Sequence, residues 1–302
     1  MSSRAVTWYH RIVTPDRKAE DGAGGTERVA RNGLRQIAAQ ALQSAGDQVV
    51  NAKTVLPWIL TGVGAPAALV ALLVPIRESG SMLPQAALTP RVVRAERRAR
   101  IWAIGSLIQA GAVLAIAAAA AFLEGLTAGI AIILALAVFS LGRALGSMSA
   151  KDVLGRTLPK GQRGQISGLS TVASGVVAVA VGLGLRAFGE DLSPAILALF
   201  LVGAALAWLA AGAIYRGIEE EPPEHTPSDS PAWWRETLQL LREDRPFRNF
   251  VTVRALLLVS ALTPPFFVTL AAGYGNTWIS GLGGFVIASA LASILGGWTA
   301  GR

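Results

Sequence analysis

Apolar residues along this chain fall in continuous blocks of roughly twenty or more, the length that a helix needs to cross the hydrocarbon core of a bilayer. A membrane-spanning strand would need only about ten residues, and its polar and apolar positions would alternate, which these blocks do not do. The blocks are rich in Ala, Leu, Val and Gly, as membrane helices are. The pattern therefore predicts an all-α, polytopic helical membrane protein.

Eight membrane spans are predicted from these blocks, and the first is the weakest because Gln, Asp and Asn residues interrupt it. The predicted spans cover residues 34–56, 64–88, 101–122, 126–148, 166–185, 194–215, 250–272 and 277–300. They divide the chain into an N-terminal arm (1–33), a six-helix bundle (34–216), a linker (217–249) and the first two helices of a second bundle (250–302). The basic arm has no continuous apolar core, so it is not a secretory signal, and we expect it to be disordered.

Composition and charge favour the same interpretation. Only 15% of the 302 residues are charged and 52% are hydrophobic, whereas about a quarter of a soluble domain is charged. Twenty of the 27 Lys and Arg residues lie in the arm and in segments 90–100, 150–164 and 216–249, and two lie in the segments that alternate with these. Because cytoplasmic loops carry the excess of Lys and Arg, we expect both termini in the cytoplasm and the chain in the plasma (inner) membrane.

The linker at 217–249 has two parts. The first is acidic and proline-rich, which favours flexibility. In the second, Ser230 is a suitable N-cap and Pro231 suits the first position of a helix. Apolar side chains then recur on one face at Trp233, Trp234, Leu238 and Leu241. This pattern predicts a short amphipathic helix at the cytoplasmic membrane surface, with a simple tether as the alternative.

Charged residues are few inside the predicted spans, and the main ones are Asp47, Arg77, Glu78 and Arg143. A charge at bilayer depth is costly unless it is paired or lines water. Arg77 and Glu78 point about 100° apart on a helix, so each needs a partner from another helix. We expect Asp47 to pair with Arg77 or Arg143, and Glu78 to pair with Arg143. The four residues are thus predicted to line a central polar cavity, in which the carboxylates are candidates for proton binding.

The second span contains Pro75 and Pro84, which remove two backbone donors and loosen the helix around Gly80. Such breaks are tolerated where the backbone lines a cavity. An alternative is that this span ends near Ile76, which would leave the charged pair after it at the cytoplasmic surface. The first predicted span also has an alternative, in which it is an amphipathic helix at the membrane surface and Asp47 lies in water.

Polar amides give a second set of candidates. Gln36, Gln40 and Gln43 recur at helical spacing, so one face of the first span is polar and is predicted to face the cavity. Gln109 lies midway along the third span, where it is expected either to line the path or to form hydrogen bonds between helices.

Other chemistries have little support in this sequence. It contains no cysteine, which excludes disulfides, iron–sulfur clusters and thiolate chemistry. Its two histidines, His10 and His225, lie in polar segments and lack metal-ligand spacing. No phosphate-binding Walker loop and no Gly-x-Ser-x-Gly nucleophile motif is present. We therefore expect no metal, no cofactor and no enzymatic activity.

The predicted layout is six spans, a long linker and then further spans. Four local stretches of sequence add to this layout. These are LPWILTGVGAP at 56–66, FSLGRALGS at 139–147, KDVLGRTLPKGQRGQISG at 151–168 and SILGGWTAGR at 293–302. In their order and spacing they resemble the major facilitator superfamily (MFS) over residues 34–302. Two departures stand out. TPRVVRAERRAR at 89–100 replaces the family's loop with Gly and Asp-Arg, and the fifth span lacks the Gly-Pro pair of many drug–proton antiporters.

The resemblance implies a secondary active transporter that moves a small solute by alternating access. Its partners would be the lipid bilayer, the solute and protons, with no nucleic acid. Because the family usually has twelve spans, we expect the chain to be truncated after its eighth helix. Two other functions stay open, namely an inactive or partial membrane fragment or scaffold, and a membrane-embedded enzyme that acts on lipid.

Overall fold

The structure is a computed structural model that describes residues 2–13, 23–187, 194–220, 233–260, 263–273, 284–289 and 291–292. These residues are largely helical and none of them lies in a strand, which confirms the all-α prediction. The helices are α1 (Ser2–Ile12), α2 (Ala23–Val49), α3 (Val55–Gly62), α4 (Ala67–Arg94), α5 (Arg98–Phe122), α6 (Gly125–Thr157), α7 (Lys160–Ala187), α8 (Pro194–Arg216), α9 (Trp233–Glu243), α10 (Arg245–Ser260) and α11 (Thr263–Gly273). Residues 284–289 are helical as well.

Five of these helices, α4 to α8, are long and apolar enough to cross a membrane. The apolar stretches are Ala67–Gln85, Arg98–Phe122, Gly125–Thr157, Lys160–Leu185 and Ile196–Arg216. They coincide with the second to sixth predicted spans, which are confirmed as helices. At 33 residues α6 is about 50 Å long, so it exceeds the roughly 30 Å hydrocarbon core of a bilayer.

The first span and the N-terminal arm differ from prediction. Helix α2 begins at Ala23 and ends at Val49, and it is too polar to rank among the five apolar helices. The expected disorder of the arm is wrong for its described residues, because α1 and the first turns of α2 are helical. Tyr9 of α1 is only 1% exposed, and its hydroxyl donates to Oε1 of Gln162 on α7 at 2.6 Å. This burial raises the pKa of Tyr9 to about 12, because the ionised phenolate would be poorly solvated.

The core of the bundle is built on α5, which packs closely against α6 and α8. Small residues allow this approach, since a Cβ on Gly105 would lie 2.6 Å from the carbonyl oxygen of Gly142. At one end of the interface, Trp102 stacks on Tyr215 with ring centroids 4.0 Å apart. The short helix α3 lies in the segment expected to connect the first two spans, and it adds buried Leu56, with other apolar residues, to the same core.

The outer face of the bundle is apolar. Leu107, Leu134, Leu199 and Leu206 are each between 61% and 72% exposed. Water would disfavour such a surface, whereas lipid chains would cover it without cost. The arrangement of an apolar exterior around buried polar groups therefore agrees with a membrane protein.

Described residues from each of the four basic segments meet at one end of the bundle. The side chain of Asn32 exchanges hydrogen bonds with the backbone of Glu219, and the Glu220 carboxylate accepts from the backbone N–H groups of Arg98 and Ala99. Arg98 also pairs with Asp152 near the end of α6. At the opposite end, the N–H of Gly125 donates to the carbonyl oxygen of Val63 at 2.7 Å. Successive helices thus run up and down between two ends that differ in charge.

The region after the six-helix unit is described only in part. The predicted linker helix is present as α9, while its expected cap at Ser230 and Pro231 lies outside the described residues. The described residues of the seventh predicted span lie in α10 and α11, residues 261–262 lie outside the description, and α11 packs against α3 and α4. Of the eighth span, residues 284–289 and 291–292 are described, and Ile287 packs against α7 at Gly182.

Candidate functional site

Asp47 lies near the end of α2 and contacts two arginines from two other helices. Its Oδ1 is 3.0 Å from Nη2 of Arg77 on α4, and its Oδ2 is 2.6 Å from Nη1 of Arg143 on α6. The side chains of Asp47 and Arg77 are 18% and 17% exposed, and that of Arg143 is 29% exposed. The sequence predicted one of these pairs or the other, and the structure forms both at once.

Glu78 follows Arg77 on α4 but points elsewhere. Its carboxylate is 3.7 Å from Nζ of Lys53, which lies in the turn between α2 and α3. The predicted pairing of Glu78 with Arg143 is wrong, since among the described residues the ion-pair partner of Glu78 is Lys53. The reason is geometric, because adjacent helical residues diverge by about 100° and only Arg77 can face Asp47.

The helix that carries this pair is unbroken. Pro75 and Pro84 lie inside α4, which continues to Arg94, so the helix does not end near Ile76. Arg77 is about 15 Å along α4 from its start, well inside the apolar stretch. Gly80 brings α4 and α6 together, since a Cβ there would lie 2.8 Å from Cβ of Ser140.

A row of aromatic side chains supports the Arg77 guanidinium. Its Cζ lies 4.7 Å from the ring centroid of Phe139, a favourable cation–π distance. Phe139 in turn packs edge-on against Trp208 of α8, with centroids 5.2 Å apart. Trp208 fits against α2 at Gly46, where a Cβ would lie 2.5 Å from its ring.

Sequence reasoning missed this aromatic support. One signal was available, because Phe139 is four residues before Arg143 on α6 and so shares its face. The contact between Gly46 and Trp208 depends on the rotation of two helices far apart in sequence, which no local pattern indicates.

The paired charges surround a cavity of about 390 Å³. Its lining is mostly polar and comprises Asp47, Gln48, Asn51, Ala52, Lys53, Arg77, Glu78, Ser81, Arg143 and Ser289. The structure thus brings all four predicted charged residues to one cavity, together with Lys53, which the sequence did not single out. Among the described residues, three cationic and two anionic side chains line it, so together these give a formal charge of +1.

The predicted glutamines divide between two settings. Gln36 and Gln40 line a second cavity, of about 340 Å³, whose other walls include the hydroxyls of α7. Gln43 is buried, and along α2 it lies between the residues of the two cavities. Gln109 is 1% exposed, its amide donates to the carbonyl oxygen of Gly105 on its own helix, and it lines neither cavity.

Helices α2 and α7 are joined between these cavities. The hydroxyls of Ser44 and Ser174 are 2.5 Å apart, and Ser174 also lines the second cavity. Within the described ranges, no three His, Asp or Glu side chains cluster closely enough to hold a metal ion. The arrangement is suited to binding a small polar solute and to exchanging ion pairs between helices.

Comparisons with protein-family models, with curated proteins and with solved structures returned no match for this chain.

Proposed function

We propose that this chain is a secondary active transporter of the MFS type that moves a small solute across the plasma (inner) membrane by alternating access. The observation that carries the proposal is the Arg77–Asp47–Arg143 cluster, in which three helices each contribute one charge to the wall of a polar cavity. Charges inside an apolar bundle are costly, and they are typically retained where they line a substrate or ion path.

The apolar exterior and the basic end agree with this function. Five apolar helices provide the membrane-crossing part, and the positive-inside rule assigns the basic end to the cytoplasm. In the proposal the remaining helices belong to a second bundle, which faces the cavity with residues such as Ser289. The partners are the lipid bilayer, the transported solute and protons.

The ion pairs suggest how a proton would drive the cycle. As a carboxylate, Asp47 bridges the two guanidinium groups and holds α2 to both α4 and α6. Protonation would remove its charge, leave two cations in close proximity and weaken both links. Proton binding would thereby favour a conformation in which these helices have moved apart. Glu78 is the second candidate proton acceptor, and its pairing with Lys53 is more exposed.

Proton and solute flux in proteoliposomes tests this proposal. Asp47→Asn keeps the size of the side chain but cannot bind and release a proton, so solute-dependent proton movement should be lost. Asp152→Asn is the matched control, because Asp152 is a carboxylate paired with Arg98 at the basic end, outside the cavity. Glu78→Gln tests the second carboxylate. If Asp47→Asn couples proton and solute movement as well as the parent does, the assignment is wrong.

A further inference from the structure

The charge of the cavity at Asp47 points to the kind of solute it takes. With Lys53, Arg77 and Arg143 against Asp47 and Glu78, the described residues of the lining carry one positive charge in excess. Behind the lining, Arg77 lies against fully buried Phe139, which packs against fully buried Trp208. Charges therefore interact here through a medium of lower dielectric than water. A solute with one negative charge would neutralise the lining, whereas a cation would add to its excess.

The two arginines also retain hydrogen-bonding capacity. Each guanidinium has five N–H donors in a planar fork that matches a carboxylate. Asp47 engages Nη2 of Arg77 and Nη1 of Arg143, and among the described residues neither guanidinium donates to another acceptor. The remaining donors are therefore available to a second carboxylate placed in the cavity.

A third feature lies beside them. The Oε1 atom of Gln48, a residue of the cavity lining, is buried and has no hydrogen-bond partner among the described residues. An unpaired buried acceptor is costly. A rotation of the Gln48 side chain toward the cavity would bring this acceptor to a hydroxyl or amino group on the solute. The volume of about 390 Å³ is near the lower end of the range for ligand pockets, which suits a small molecule.

We infer that the solute is a small organic acid whose carboxylate binds Arg77 and Arg143, and whose hydroxyl or amino group reaches Gln48. The inference rests on the proposed function and names the substrate class of the same site. It also gives a reason for proton coupling, because protonation of Asp47 frees both guanidinium groups for the solute. The charged groups that share the cavity lining with Asp47 are Arg77 and Glu78 from α4, Arg143 from α6 and Lys53 from the turn after α2.

Binding to the purified full chain in detergent tests the inference without any need for transport. The probes are L-lactate, its neutral analogue L-lactamide, and propionate, which lacks the hydroxyl, and ionic strength is held constant because added salt screens charge. We expect the two carboxylates to raise the midpoint of thermal unfolding, L-lactate to bind more tightly than propionate, and L-lactamide to have no effect. Asp47→Asn should bind L-lactate more tightly, since the variant removes the competing carboxylate.

Arginine variants provide the second part of the binding experiment. Arg143→Gln should weaken L-lactate binding by at least about tenfold, since it removes a charged hydrogen-bond partner. Arg156→Gln makes the same chemical change near the end of α6, outside the cavity, and should leave binding unchanged. If Arg143→Gln does not fold, the sign of the Asp47→Asn effect still decides, because a cationic solute would bind that variant more weakly.

Each remaining outcome has one meaning. The inference is overturned if L-lactate and L-lactamide give equal responses. It is also overturned if neither the parent nor Asp47→Asn responds to either carboxylate, or if Asp47→Asn binds L-lactate more weakly than the parent does. Carboxylate binding without any solute flux in proteoliposomes would keep the anion site and overturn the proposed transport. Proton-coupled flux of another solute without carboxylate binding would keep the proposed transport and overturn the anion site.

Discussion

Gly46 lies where α2 crosses α8, next to the aspartate that joins the two arginines. A Cβ added at Gly46 would lie 2.5, 2.6 and 2.7 Å from Cζ3, Cε3 and Cη2 of Trp208. Ordinary carbon contacts are about 3.5–4.0 Å, so Gly46→Ala overlaps three ring atoms by about 1 Å each. Trp208 is completely buried and packs edge-on against Phe139, so its ring has little room to move away.

The expected cost combines two opposite effects. Overpacking a tight interior costs about 1–3 kcal/mol, while replacing Gly with Ala inside a helix gains about 0.5–1 kcal/mol. Because three atoms overlap at once, the first effect should dominate, and we expect a net loss of about 1–2 kcal/mol. A shift of α2 away from α8 would also displace Asp47, so solute-dependent proton flux should fall in the same variant.

Reversible unfolding in detergent, followed by tryptophan fluorescence, measures this change. Gly111→Ala in α5 is the control, because no atom lies within 4 Å of a Cβ at that position, and it should be neutral or slightly stabilising. Combining Gly46→Ala with Trp208→Phe, whose shorter ring lacks the overlapping edge, should recover part of the loss in a double-mutant cycle. A Gly46→Ala protein as stable as Gly111→Ala would refute the packing described here.

Two further predictions concern other contacts. Gly105→Ala should destabilise the protein more than Gly46→Ala does in the same unfolding assay. Its Cβ would lie 2.6 Å from the backbone oxygen of Gly142, and a backbone cannot rotate away as a side chain can. A neutral effect would contradict the α5–α6 contact. The raised pKa of Tyr9, about 12 against 10.0, predicts stability that is fully present below pH 10 and is lost as pH rises toward 12. The midpoint of thermal unfolding should therefore fall more steeply above pH 10 in the parent than in Tyr9→Phe, and parallel curves would contradict it.

The sequence predicted the parts of the fold that depend on composition. Helices α4 to α8 followed from apolar blocks alone, since length and hydrophobicity decide whether a helix can cross a bilayer. Gathering Asp47, Arg77 and Arg143 was also predictable, because charges in such spans are few and must find one another.

What could not be predicted depends on how helices rotate and where polar segments fold back. The burial of Tyr9 against Gln162 joins residues 153 positions apart, and the polar composition around Tyr9 gave no sign of it. The partner of Glu78 proved to be Lys53, which lies in a turn outside the predicted spans. A helix in the connector at α3 was likewise hidden, because a short apolar segment has no distinctive period.

The proposed alternating access requires that Ser81 and its neighbours line a cavity that opens to each side of the membrane in turn. The absence of cysteine makes this directly measurable, since a Ser81→Cys protein has a single thiol. In oriented vesicles we predict that a membrane-impermeant thiol reagent labels the Ser81→Cys protein from either side. A Leu134→Cys protein, whose thiol lies on the outward-facing apolar surface, should stay unlabelled from both sides. Labelling of the Ser81→Cys protein from one side only, or from neither, would contradict alternating access.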